Sequence, residues 1–181
     1  MTSLCVHRWV LSVAAILMAA SVAVRAAESL QIRPTVHDDQ VIVSYELDDA
    51  YTDTVRDAIA SGLRTTFTYE LELRTKTTIW FDRVIATAVV TVSDHFDNLT
   101  RRHSLTRTVN GRVVDELVTE DDAIVRTWLT TGTRVPLCQT GELDPTRDYY
   151  VRITTRARPA TSSILGLPRT ISGQTRFTFV P

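Results

Sequence analysis

Residues Leu63 to Val92 constrain this chain more than any other stretch, and they read LRTTFTYELELRTKTTIWFDRVIATAVVTV. Phe67, Tyr69, Leu71 and Leu73 alternate with Thr68, Glu70 and Glu72. Successive side chains of a strand point to opposite faces, so a period of two gives one apolar face and one wet face. After a break, Val84, Ala86, Ala88, Val90 and Val92 repeat the pattern. Two long half-buried strands of this kind template much of a sheet, and other parts of the chain must cover its apolar side.

The remaining elements are short. Leu30, Ile32 and then Val41, Val43, Tyr45 and Leu47 predict a hairpin around the turn residues His37-Asp38-Asp39, with Pro34 marking an edge position or a strand end. Tyr51, Val55, Ala58 and Ile59 fall on one face of a helix of two to three turns. Asp49 or Thr52 is placed to cap its start, and Ser61-Gly62 to close it. Residues 99–109 and 113–118 flank Asn110-Gly111, the strongest hairpin turn in the chain. A second helix follows the capping run Thr119 to Asp122, shows Ile124, Val125, Trp128 and Leu129 on its apolar face, and is expected to stop at Gly132. Residues 149–158 alternate again, and Phe177 and Phe179 mark a last strand. About eight strands with two helices and no βαβ alternation argue against a doubly wound parallel sheet. The expected fold is mainly β, an antiparallel β-sandwich with two short helices. The alternative is an α+β fold with one curved antiparallel sheet.

Compartment is read from the first residues. His7 and Arg8 precede the apolar run Trp9 to Val24, and Val24-Arg25-Ala26 offers a small-x-small cleavage site. That is the pattern of a secretory signal over 1–26, ahead of one β-rich domain over 27–181. The run of about 16 residues is shorter than the roughly 20 that span a bilayer. The expectation is a periplasmic or secreted protein; the alternative is an uncleaved N-terminal anchor in the inner membrane, facing the periplasm. No further apolar segment suggests a transmembrane span in the mature chain. Cys138 is the only cysteine after the leader, so no internal disulfide is expected, and its neighbours Val135, Pro136 and Leu137 favour burial over pairing between chains. No long basic tract is present, which argues against a nucleic-acid partner.

The sequence is poor in catalytic signatures. It has no HExxH, CxxC, GxSxG or glycine-rich phosphate loop, and no cofactor or metal site is expected. The one compact group is His95 between Asp94 and Asp97, with His103 nearby; a metal-dependent or other hydrolase using His95, Asp97 and His103 is the alternative function. The leading expectation is non-enzymatic. Trp80 and Phe81 form an aromatic knot between the long strands, of a kind enriched at interface hot spots. Tyr150, Arg152, Arg156 and Arg158 share one face of a later strand and form a basic stripe. These six residues are the candidate partner-binding set, and the expected partner is an envelope protein.

The order of these features resembles the bacterial DUF4390 family. The resemblance rests on the signal-led start, the leading hairpin, the helix ending in Ser61-Gly62-Leu63, the strand FTYELEL and the segment Ile79-Trp80-Phe81-Asp82. LTRRHSLTR at 99–107, YYVRITTRARP at 149–159 and Leu167-Pro168 extend it over nearly the whole mature domain. It implies an exported or membrane-associated domain without an established activity. The family's genes often lie near those for a sensor kinase and its response regulator, which implies a role in envelope signalling. Many relatives carry a tyrosine after the Arg101-Arg102 pair where this chain has His103, so the resemblance gives His103 no role.

Overall fold

The alternating stretch forms β3 (Thr65–Thr75) and β4 (Arg83–Asp97), paired antiparallel with Tyr69 opposite Val90 and Phe67 opposite Val92. This is a computed structural model, and it describes residues 30–76, 82–159 and 170–179. The expected leader and the Trp80-Phe81 knot lie outside the described residues. Strands β5 (Arg102–Val109) and β6 (Arg112–Thr119) extend the sheet beyond β4, and β8 (Tyr149–Pro159) and β9 (Thr170–Phe177) extend it beyond β3. The six strands run in the order β6-β5-β4-β3-β8-β9. A second sheet has the order β1-β2-β7, from β1 (Leu30–His37), β2 (Gln40–Leu47) and β7 (Thr131–Gln139). Between the sheets lie Phe67, Tyr69, Leu71 and Leu73 from one side and Val41, Val43 and Leu47 from the other, all fully buried. The architecture is the expected β-sandwich, with nine strands and two α-helices among the described residues.

Local chemistry explains most boundaries. Asp38 and Asp39 at positive φ, and Asn110 with Gly111, form the tight turns whose twist suits antiparallel hairpins. Asn110 also clamps its hairpin to β4. Its N–H donates to the Val89 carbonyl (2.8 Å), and its side-chain oxygen accepts from the Val89 N–H (2.9 Å). Helix α1 (Asp53–Ala60) begins at Thr52, whose hydroxyl accepts from the Val55 N–H. It ends at Gly62, φ +80°, where the N–H groups of Gly62 and Leu63 donate to the carbonyls of Ile59 and Ala58. That is the double hydrogen bond of a glycine-terminated helix. Edge strand β1 carries Pro34, and edge strand β6 carries Asp115 and Glu116 with an irregular register near its start; all three devices discourage further strand pairing.

The end of helix α2 (Asp122–Thr130) differs from expectation. Asp121 caps its start by accepting from the Ala123 N–H (2.8 Å), but Gly132 does not stop it. The terminal carbonyls are satisfied from the large sheet. The Tyr69 hydroxyl donates to the Leu129 carbonyl (2.6 Å), and Arg107 donates to those of Trp128 (3.2 Å) and Thr131 (3.3 Å) while its guanidinium lies 4.5 Å from the Trp128 ring centroid. A cation at a helix C-terminus also complements the helix dipole. Gly132 is instead the second residue of β7, directly opposite Tyr45.

Cys138 sits on β7 opposite Val41, half-buried against the core, as a free thiol. Burial pushes its pKa up to about 11, with Glu142 adding to the effect. Only the thiolate attacks electrophiles. Iodoacetamide should therefore modify folded Cys138 at pH 8 at least about tenfold more slowly than the urea-unfolded chain, with the rate climbing as pH approaches 11. Peptide mapping resolves this position from Cys5. Equal rates in the folded and unfolded chain would refute the buried-thiol account.

Candidate functional site

Two regions carry the candidate residues. The first is the outer face of the six-stranded sheet. Strand β8 lies between β3 and β9 with Arg152 opposite Glu72, Thr154 opposite Glu70 and Arg156 opposite Thr68. Arg152, Arg156 and Arg158 are all exposed on this face, as is Arg176 of the neighbouring β9. The Arg156 guanidinium meets the Glu70 carboxylate at 3.1 Å across the diagonal. Arg152, Arg158 and Arg176 make no ion pair among the described residues. The stripe thus exists, but without its expected first member. Tyr150 is only 8% exposed and its hydroxyl donates to the Asp82 carboxylate (2.6 Å). Burial and the bond to Asp82 both raise the pKa of its phenol, so it stays protonated.

The second region lies at one end of the sandwich. Strand β4 runs to Asp97, and the chain turns through 98–101 into β5, so His103 pairs opposite Phe96. Asp97 builds the turn: its carboxylate accepts from the N–H groups of Leu99 and Thr100, and these bonds hold its pKa below the usual range. Register then decides which side chains meet. Asp94, Phe96 and His103 share the inner face, while His95 points outward and is exposed. The expected trio of His95, Asp97 and His103 is therefore split. His95 and Asp97 alternate away from His103, and Asp97 is spent on the turn. Among the described residues, no group of three or more His, Cys, Asp or Glu side chains is arranged to hold a metal ion.

The register brings together a different pair. His103 Nδ1 lies 2.9 Å from Asp94 Oδ2, with both side chains buried, and the Phe96 and His103 ring centroids are 4.5 Å apart. His103 Nε2 lies 3.3 Å from Oδ1 of Asp122, the first residue of α2. The other Asp94 oxygen, Oδ1, is buried without a hydrogen-bond partner. Burial raises the Asp94 pKa, although the hydrogen bond and charge of His103 pull it back down. His103 forms part of the wall of a cleft of about 450 Å³ between α1, the 98–101 turn and the start of α2. Tyr51, Ile59 and Phe96 give that cleft an apolar side, and Arg56, Arg101, Glu120 and Asp122 give it charge.

Comparison with known proteins adds a family. The model of a domain of unknown function, DUF4390, matches residues 25–167. No curated protein and no solved structure matches the chain. Among the described residues, no helix is long and apolar enough to cross a membrane.

Proposed function

The chain belongs to the DUF4390 family, and from that premise we propose that it is a non-enzymatic accessory domain of the bacterial envelope, exported by its leader. It docks an acidic surface of a protein partner through the outer face of its large sheet and takes part in envelope signalling. One observation carries this reading: Arg152 and Arg158 stand exposed on β8 without carboxylate partners among the described residues, and Arg176 of β9 lies diagonal to Arg152. Arginine presents a planar fork suited to bidentate carboxylate contacts, and on this face Glu70 and Glu72 are taken up by Arg156 and Arg74, which leaves Arg152 and Arg158 as cations without a partner carboxylate among the described residues. Trp80 and Phe81 remain sequence-based members of the candidate partner-binding set.

The test is site-specific photocrosslinking in cells that make the full chain. A photoreactive residue at 152 or 158 should give one discrete adduct, and the same residue at exposed Val113 on the opposite edge should give none. The double charge reversal Arg152→Glu/Arg158→Glu should reduce the adduct about tenfold, and raised salt should weaken it, because exposed charge pairs are screened. An adduct that survives charge reversal, or that appears equally from Val113, would rule out this face.

A further inference from the structure

The cleft over His103 has no part in the docking face, and its construction points to a ligand of its own. It is of the size that encloses small molecules. Its donors come from three separate elements. Arg56 stands on α1, and Arg101 on the 98–101 turn, where a positive φ of 57° sets the backbone in a conformation that side-chain-bearing residues seldom adopt. His103 on β5 contributes Nε2. Arg56 is paired with Asp53, whereas Arg101 makes no ion pair among the described residues. Of the acids nearby, Glu120 is held by Arg102 at 3.0 Å. Asp122 is bonded only through the 3.3 Å contact to Nε2, and its side chain is 83% exposed.

The imidazole is fixed from behind. Asp94 holds Nδ1 at 2.9 Å and Phe96 stacks on the ring, so Nε2 is aimed at the cleft wall whatever lies there. A carboxylate oxygen faces each ring nitrogen, Asp94 at Nδ1 and Asp122 at Nε2, which is the placement of acceptors around an imidazole that presents N–H groups. What Nε2 meets is a carboxylate on a solvent-exposed side chain. Asp122 therefore occupies the place that a ligand carboxylate would take, and it does so from the chain itself.

We propose that this cleft binds a small organic carboxylate with an apolar body, its carboxylate displacing Asp122 from His103 Nε2 and engaging Arg101, and its body lying against Tyr51, Ile59 and Phe96. The apolar wall distinguishes this ligand from a bare anion, and the cationic donors distinguish it from an amine. Such a site would make the domain responsive to a metabolite independently of the partner docked on β8.

The proposal is tested by titrating the full chain with benzoate and hexanoate, against inorganic phosphate and benzylamine as controls. Binding is read by calorimetry and by the ¹⁵N shift of the His103 ring. At least one carboxylate should bind saturably and move the Nε2 resonance, and neither control should. Arg101→Ala should weaken binding about tenfold, since it removes a charge-assisted contact. Asp122→Ala should tighten it about threefold or more, because the intramolecular competitor is gone. Asp122 and Arg101 are exposed, so unchanged melting curves will show that both variants fold. A weaker or unchanged affinity in Asp122→Ala overturns the proposal, as does saturable binding of benzylamine, equal binding of phosphate, or no binding of either carboxylate. None of these outcomes bears on the β8 face, so the two readings fail separately.

Discussion

Replacing Gly132 with alanine is expected to cost about 2 kcal/mol net and to lower the melting midpoint by roughly 4–8 °C. A Cβ at this position would lie 2.3 Å from two ring carbons of Tyr45 and 2.7 Å from its hydroxyl oxygen. The Tyr45 ring has little room to retreat. It is buried, and its centroid is 4.5 Å from that of Tyr69, which also holds the end of α2. Alanine restricts the unfolded chain, which alone would stabilise by about 0.4–1 kcal/mol, so the clash must exceed that gain for the sign to hold. A Cβ 2.3 Å from ring carbons of a buried tyrosine puts this site at the upper end of the usual overpacking cost of about 1–3 kcal/mol, which exceeds that gain. The diagnostic is a second substitution. Tyr45→Leu removes the ring atoms in the way, so Gly132→Ala should be nearly neutral in that background, whereas Tyr45→Phe keeps them and should not rescue. Urea unfolding of the three single and two double variants measures this, and a neutral Gly132→Ala in the native background would refute the close-approach account.

The same residue shows where sequence reading reached its limit. Glycine after an apolar helical face reads as a helix stop, and at Gly62 that is what the chain builds, because a local double hydrogen bond closes α1. At Gly132 the helix end is closed by Tyr69, 60 residues from the carbonyl that it meets, and by Arg107, 21 and 24 residues from its two. Long-range capping leaves no local mark, so the glycine was free to serve packing instead. Strand β7 was hidden for a related reason. Its pairing with β2 shifts register twice, Arg134 takes a positive φ of 55°, and Pro136 interrupts it, so no clean alternation survives in its sequence. Strands β3 and β8, by contrast, pair without a shift over Thr65 to Thr75 and keep the period-two pattern intact.

The candidate sites were legible in proportion to how local they are. The arginine stripe follows from alternation along one strand and is present as read, from Arg152 to Arg158. Tyr150 left it only because Asp82, 68 residues earlier, accepts its hydroxyl. The Asp94–His103 pair was missed, although all its members stood in view. His95 and Asp97 do share a face, as alternation requires, but the partner of that face depends on where β4 turns. The turn at 98–101 places His103 opposite Phe96, hence on the side of Asp94. A one-residue difference in that turn would have brought His103 to the other face. Asn98 and Asp97 were the available signal, as turn formers ahead of Leu99.

Breaking the Asp94–His103 pair from one side should be the other large effect on stability. His103→Leu nearly preserves volume but leaves a buried carboxylate with neither oxygen bonded, since Oδ1 already lacks a partner. The expected cost at pH 7 is about 3–5 kcal/mol, the usual penalty for stranding one half of a buried pair. Removing both halves should be far milder: Asp94→Val/His103→Leu is expected within about 1–2 kcal/mol of the native chain, because no polar group is left unpaired. The pH dependence has a definite sign. Burial raises the Asp94 pKa, so between the ordinary carboxylate range and that raised value the folded chain binds more proton than the unfolded one. Its contribution to stability is therefore greatest in acid and is lost as pH rises through the raised pKa. His103 opposes this shift through its hydrogen bond and charge, with a smaller opposing charge from His95, while Asp122 reinforces it. His103→Leu should consequently steepen the decline of stability with rising pH, and the double variant should abolish Asp94's share of it. Urea midpoints from pH 4 to pH 8 give both results. A His103→Leu chain as stable as the native one across that range would show that the pair is not the keystone of this end of the sandwich.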